Sequence, residues 1–345
     1  ETNDGLSPAT PLNDPATAIE RFPLSEGDIL YIDTGTYTIT NALGMRLGLF
    51  GEDVKAGLPG DPIRIIGSTN RAAGGTTILP HPAVTSVFLI ANTKHIAVEY
   101  INFTAGSNGV IVAGVEDVAF RWVNVYSNGT GFRLNNAAGT SFRNCSSWNN
   151  SFGMLSEGNS TSLDWNYGVV WSNHVVGIRQ SSGFLSISNS ILGAPSSNSL
   201  LVEINSGFAA IRGNYNLYDP GPNLTLFRDS LGSVLFRNLR SWQNLRNMDA
   251  NSFVTEPLFA SPGTGNLHLR SDQGRFNPAS GTFVLDADTS WGIDAGAPSD
   301  PFNLETQPNG GRVNVGIFGN TPLASRSTTN PALFVGSLRD GGTAG

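Results

Sequence analysis

A short apolar run recurs every 21 to 24 residues along this chain, and few folds can accommodate it. The residues that open the run are Val98, Phe120, Phe142, Leu163, Ile187, Ile211 and Leu235, at spacings of 22, 22, 21, 24, 24 and 24. Around each lies a brief alternation such as Val118-Ala119-Phe120-Arg121-Trp122 or Phe184-Leu185-Ser186-Ile187-Ser188. A polar stretch and a second short run come next, as in Gly131-Phe132-Arg133-Leu134. No 3.6-residue period runs through the region. A unit this short buries its apolar side only by stacking on its neighbours, with strands about 4.8 Å apart. A leucine-rich horseshoe needs regularly placed leucines, and a propeller blade needs nearly twice the length. The repeat therefore predicts an all-β fold, a right-handed parallel β-helix. The asparagines at the turns, Asn128, Asn150, Asn173 and Asn198, suit an amide ladder between coils.

Two earlier coils are visible in Asp28-Ile29-Leu30-Tyr31-Ile32 and Pro62-Ile63-Arg64-Ile65-Ile66-Gly67. Together with Asn3-Asp4-Gly5, the helix-like Asp14-Pro15-Ala16-Thr17-Ala18-Ile19 and Gly35-Thr36-Tyr37, they resemble the N-terminal region of the pectin-lyase-like right-handed parallel β-helix superfamily. The segments 292–298 and 308–319 resemble the closing region of large bacterial secreted β-helix proteins of unassigned function. The resemblance implies a fold, and an activity on acidic glycans as lyase, epimerase or hydrolase. It leaves room for a calcium ion, although no oxygen-ligand spacing of a calcium loop is present. No metal ligands are assigned.

The expected organisation is an N-terminal cap over 1–28, the β-helix over 29–262, an irregular C-terminal cap over 263–325 and a tail over 326–345. A β-helix has two open edges that must be covered. Asp14 as N-cap and Pro15 at the first helical position predict a capping helix over 14–22. The tail carries one apolar run, Ala332-Leu333-Phe334-Val335, which either folds back or docks on the next molecule.

Composition narrows the partners. Charged residues make up 14% of the chain, the net charge is −7, and lysine occurs only at Lys55 and Lys94. Nucleic acid is excluded as a partner on charge, and no apolar stretch is long enough to span a membrane. Few lysines and abundant Asn, Ser and Thr point to an extracellular or cell-surface setting. The single cysteine, Cys145, is expected to be a buried core thiol.

Three sets of residues are candidates for chemistry. His174 and Arg179 supply a base and a charge neutraliser if the protein is a polysaccharide lyase. The column one residue after the aligned apolar position reads Glu99, Arg121, Arg143, Asp164, Ser188, Arg212. It is either a uronate-binding strip clamped by Arg121 and Arg143 or a self-neutralising charge ladder. Five to eight residues after the aligned positions stand Phe103, Tyr126, Trp148, Trp171, Tyr218 and Trp242. They form an aromatic column suited to sugar faces, or a structural stack. Two functions fit these features. One is a secreted β-helix that engages polysaccharide, as binding module or divergent lyase. The other is a structural subunit assembled head to tail into an extracellular filament or surface layer.

Overall fold

The computed structural model describes residues 3–48, 55–194, 199–222, 225–230 and 234–327. Every coil is a triangle of short parallel strands, so the stack has three faces. Face 1 runs from Ile29–Tyr31 through Ile63–Ile66, Lys94–Glu99, Ser141–Arg143, Leu163–Asn166 and Gly183–Ser188 to Ala209–Asn214. Face 2 runs from Gly35–Thr38 through Thr76–Leu79, Ile101–Thr104, Asn124–Tyr126, Ser146–Trp148, Val169–Trp171, Ile191–Gly193 and Leu217–Asp219 to Phe253–Val254. Face 3 runs from Met45–Gly48 through Ser86–Ala91, Thr130–Ala138, Phe152–Glu157, Val176–Gln180 and Leu200–Ile204 to Phe227–Asp229. The long strand Asn108–Arg121 bends around the corner from face 3 to face 1 and joins both.

Alternation along each strand sends one set of side chains into the cylinder. Val98, Phe120, Phe142, Trp165 and Ile187 pair in register and are all buried. The Phe120 and Phe142 rings stack at 5.2 Å, Trp165 lies 5.0 Å from Phe142, and Phe132 meets them edge-on from face 3. The register corrects the sequence alignment. Leu163 pairs with Leu185, which pairs with Ile211, one inward position earlier in the strand. The coil from Phe142 to Trp165 has 23 residues, and both Leu163 and Trp165 point inward, so alternation alone does not separate them. Leu235 is not a coil position. It is half exposed in Val234–Phe236, a strand that turns back antiparallel on Phe227–Asp229 and closes the edge of face 3.

Corners need special backbone. Between faces 1 and 2 the six coils from Lys94–Glu99 onward each turn on one residue in the left-handed region: Tyr100, Trp122, Asn144, Tyr167, Asn189 and Tyr215, with φ from 49° to 59°. Between faces 2 and 3 the asparagine ladder forms as expected. Asn150 Oδ1 accepts the Asn128 backbone N–H at 2.9 Å, and Asn173 Oδ1 accepts that of Asn150 at 3.1 Å. Asn198 lies outside the described residues, as does the run 332–335.

Both ends are capped by helices. Helix α1 (Pro15–Arg21) has Asp14 as N-cap, whose carboxylate accepts from Ala16 N and from Thr40 N on the other side. Helix α2 (Leu239–Arg246) is not foreshadowed by the repeat. It lays Trp242 flat on Phe227 at 4.5 Å and closes the C-terminal end of the core. Residues 255–327 then fold back over face 2 as an irregular cap with two small hairpins, Phe259–Ser261 with Asn266–Leu269 and Arg275–Asn277 with Thr282–Val284. Cys145 is a buried free thiol, pushed up to about 12 by burial. Truncating Phe142 to Ala should cost about 3–5 kcal/mol through lost transfer energy and an unfilled cavity. Denaturant unfolding checks this, and a loss below about 1 kcal/mol would contradict the stacked core.

Candidate binding groove

The site begins with one outward column on face 2. In register it reads Thr77, Asn102, Asn124, Ser146, Val169, Ile191, Leu217. The last three are apolar and buried because the cap sits on them, through Phe259, Leu267, Leu269, Val315 and Ile317. The first positions are polar and bond to one another. Ser146 Oγ donates to Asn124 Oδ1 at 2.7 Å, Asn124 Nδ2 to Asn102 Oδ1 at 2.8 Å, and Asn102 Nδ2 to Thr77 Oγ1 at 3.3 Å. This amide ladder is the floor of a groove whose far wall is the cap.

Aromatic rings line both sides of the floor. On one side Tyr126 and Trp148 stack at 4.7 Å, nearly parallel. On the other, at the corner, Tyr100 and Trp122 stack at 6.3 Å. The Arg71 guanidinium covers Trp122 at 4.4 Å and donates to the Trp122 carbonyl at 3.5 Å. Burial lowers Arg71 to about 10, so it remains a cation at neutral pH. Around the corner Arg143 lies over the Tyr167 ring at 5.5 Å. Among the described residues no ion pair to a carboxylate closes on Arg71 or Arg143. Two adjoining hollows, of about 560 and 460 Å³, share Thr69, Arg71, Tyr100, Trp122 and Leu323, so the groove is continuous from Trp148 to Arg143. The cap wall contributes Phe318, with His268 stacked on it at 3.6 Å. Burial pushes His268 down to about 3, which leaves it a neutral ring at physiological pH.

The expected residues are distributed unevenly around this groove. Tyr126, Trp148 and Arg143 line it. Trp171 continues their column but is sealed under the cap against Phe259 at 4.9 Å. The column ends at Gly193, where any Cβ would come within 2.0 Å of the Trp171 ring. Two aromatics leave the column altogether. Tyr218 points into the core and Trp242 belongs to α2; both are buried and both donate to the Asp249 carboxylate at 3.0 Å. Phe103 also points inward.

The charge column needs the same correction. Glu99, Arg121 and Arg143 are in register, but Asn166 comes next, while Asp164 and Arg212 belong to the column beside it. Arg121 reaches Glu99 only at 3.9 Å, because Arg64 holds that carboxylate at 3.0 Å. His174 is exposed in the turn after Asn173, and Arg179 sits on face 3, held by Glu203 and lying over Phe152 at 4.9 Å. The structure does not bring the two together. Arg71, Tyr100, Trp122, Asn102 and Asn124 escaped the sequence reading. The only signal for the corner pair was a bulky aromatic at the same turn of successive coils. Among the described residues no group of three or more His, Cys, Asp or Glu is placed to hold a metal ion.

No family model matches the sequence, and no curated protein matches it. In structure the chain is similar to pectate lyase Pel9A, with a TM-score of 0.50 and 14% identity over 95% of this chain and 94% of that one. The chain is a right-handed parallel β-helix. It is also similar to an alginate lyase from Paenibacillus sp. str. FPU-7, at TM-score 0.43 and 11% identity over 62% of this chain and 87% of that one. The mannuronan C-5 epimerase A-module of Azotobacter vinelandii matches at 0.33 and 13% over 65% and 87%. At 14% identity the likeness to the pectate lyase speaks for the fold alone.

The groove wall carries a titratable pin. Glu305 is buried in the cap, and its Oε1 accepts the backbone N–H of Asn314 at 2.9 Å and of Asn320 at 2.8 Å. Those two amides bracket the segment with Ile317 and Phe318. Burial, with Asp294 adding repulsion, raises the Glu305 carboxyl from 4.5 to about 7. A raised acid stabilises the closed cap below its free value and loses that contribution as pH rises through the folded one. Amide protection at Asn314 and Asn320, corrected for intrinsic exchange, should therefore fall as pH rises from 4.5 to 7 and level off above. Glu305→Gln should flatten the profile; an unchanged profile in that variant would count against the assignment.

Proposed function

We propose that this chain binds an acidic polysaccharide in the groove over face 2. The observation that carries the reading is the pair of arginines, Arg71 and Arg143, stacked on aromatic rings with no carboxylate among the described residues closing on either. An arginine held over a ring keeps its donors aimed outward, in a fork that matches a carboxylate. The rings of Tyr100, Trp122, Tyr126 and Trp148 offer flat apolar surface with polar edges, which suits a sugar ring. Asn102 and Asn124 between them offer donors and acceptors for hydroxyls. A pectate lyase shares the fold. The low charge and scarce lysine of the chain fit an extracellular setting. Among the described residues no helix is long and apolar enough to cross a membrane.

Binding to polygalacturonate and alginate, measured by calorimetry beside neutral glucans, tests the proposal. The acidic polymers should bind, and more weakly as salt rises. Arg71→Ala and Arg143→Ala should each lower affinity by roughly tenfold or more, since a hydrogen bond to a charged group contributes about 1.5–3 kcal/mol. Equal binding of neutral glucans, or wild-type affinity in both variants, would overturn it. Absorbance from new unsaturated chain ends in the same incubations separates a lyase from a binding module.

A further inference from the structure

We infer that copies of this chain associate head to tail, the last coil of one against the first coil of the next, extending the face 1 sheet from molecule to molecule. This does not rest on the polysaccharide reading.

The two helices cover the ends of the core unevenly. Helix α1 packs beside Met45–Gly48, and α2 sits against Val234–Phe236 at the end of face 3. Face 1 carries no further strand at either end among the described residues, although Asp249 N donates to the Gly213 carbonyl at 2.7 Å and so covers the last part of the C-terminal edge. Ile29–Tyr31 pairs only with Ile63–Ile66, and Ala209–Asn214 only with Gly183–Ser188. The inward residues at these edges, Leu30 and Ile211, are only partly buried although they pack on the core. Exposed parallel edges of this kind add a further strand readily.

Apolar surface and charge agree with that pairing. Around the first coil Ile29 and Tyr31 are 40% and 71% exposed, and at the opposite end Phe208 and Leu245 are 88% and 63% exposed. Large apolar side chains this open are worth explaining when they cluster at the two ends of one sheet. The first coil is flanked by exposed Glu20, Glu26, Asp28 and Asp33, with Arg21 the one base among them. The last coil and the segment leading into α2 expose Arg212, Arg237 and Arg240, while Arg228 is paired with Glu203 at 3.4 Å. Opposite charge at opposite ends favours head-to-tail docking and disfavours the symmetric pairings, head to head or tail to tail. A head-to-tail contact does not close on itself, so it propagates as a filament.

The test is sedimentation of the intact chain, without glycan, over a range of concentration and salt. Mass should rise with concentration and fall at high salt. Phe208→Asp and Tyr31→Asp, both on exposed side chains, should each weaken association at least about tenfold while leaving the melting temperature unchanged, because a charge is placed in a desolvated contact. Arg237→Glu alone and Glu26→Arg alone should likewise be monomeric, and their mixture should assemble again. A wild type that stays monomeric to its solubility limit overturns the inference. So do assemblies that survive these substitutions, or single charge variants that assemble as well as their mixture.

Discussion

The buried amides of Asn128, Asn150 and Asn173 hold the coils in phase. The side-chain oxygens of Asn150 and Asn173 each accept a backbone N–H from the preceding coil, and that of Asn128 accepts from Gly106 N. Each Nδ2 donates to a carbonyl of face 2: Phe103 and Tyr126, Val125, and Ser147. None of the three is more than 6% exposed. A slip of one residue would leave these groups unpaired in the interior, at about 1–3 kcal/mol each, and would turn every inward side chain outward. Columns exist because residues 22 to 26 apart land on one another, and the groove is three such columns side by side.

The cap and the groove are two consequences of one gradient along face 2. Where the outward column is Val169, Ile191 and Leu217, it buries beneath the cap; where it is Thr77, Asn102 and Asn124, it stays open. The strands record this. Val169-Val170-Trp171, Ile191-Leu192 and Leu217-Tyr218 are apolar without alternation, the signature of a strand covered on both sides. Asn124-Val125-Tyr126 alternates. The cap also fixes the corner residues it meets: Tyr167 Oη and Asn189 Nδ2 both donate to Asp300, and Asn144 Nδ2 donates to the Ile317 carbonyl. Trp122 and Tyr100, one coil and two coils before Asn144, lie past that contact, and there the groove opens.

The fold was legible in the sequence because a period of 22 to 24 residues with local alternation has few physical solutions, and Asp14-Pro15 marks the capping helix by its chemistry. The site was legible only in part. Tyr126 and Trp148 came from the repeat, but Tyr218 sits one residue out of phase with them, and a single step is the difference between the groove side and the core. Trp242 was placed in a coil because Leu235 continued the spacing, where the chain instead turns back and forms a helix. Arg71 gave no sequence signal: it lies 51 residues before Trp122 and reaches it only after two coils have stacked.

A crystal structure with an acidic oligosaccharide bound would test the groove most directly. A carboxylate should sit on Arg71 or Arg143, a sugar ring against Trp122 or Tyr126, and hydroxyls on Asn102 and Asn124. A ligand held instead on face 3 beside His174 and Arg179, with the groove over face 2 empty, would contradict it.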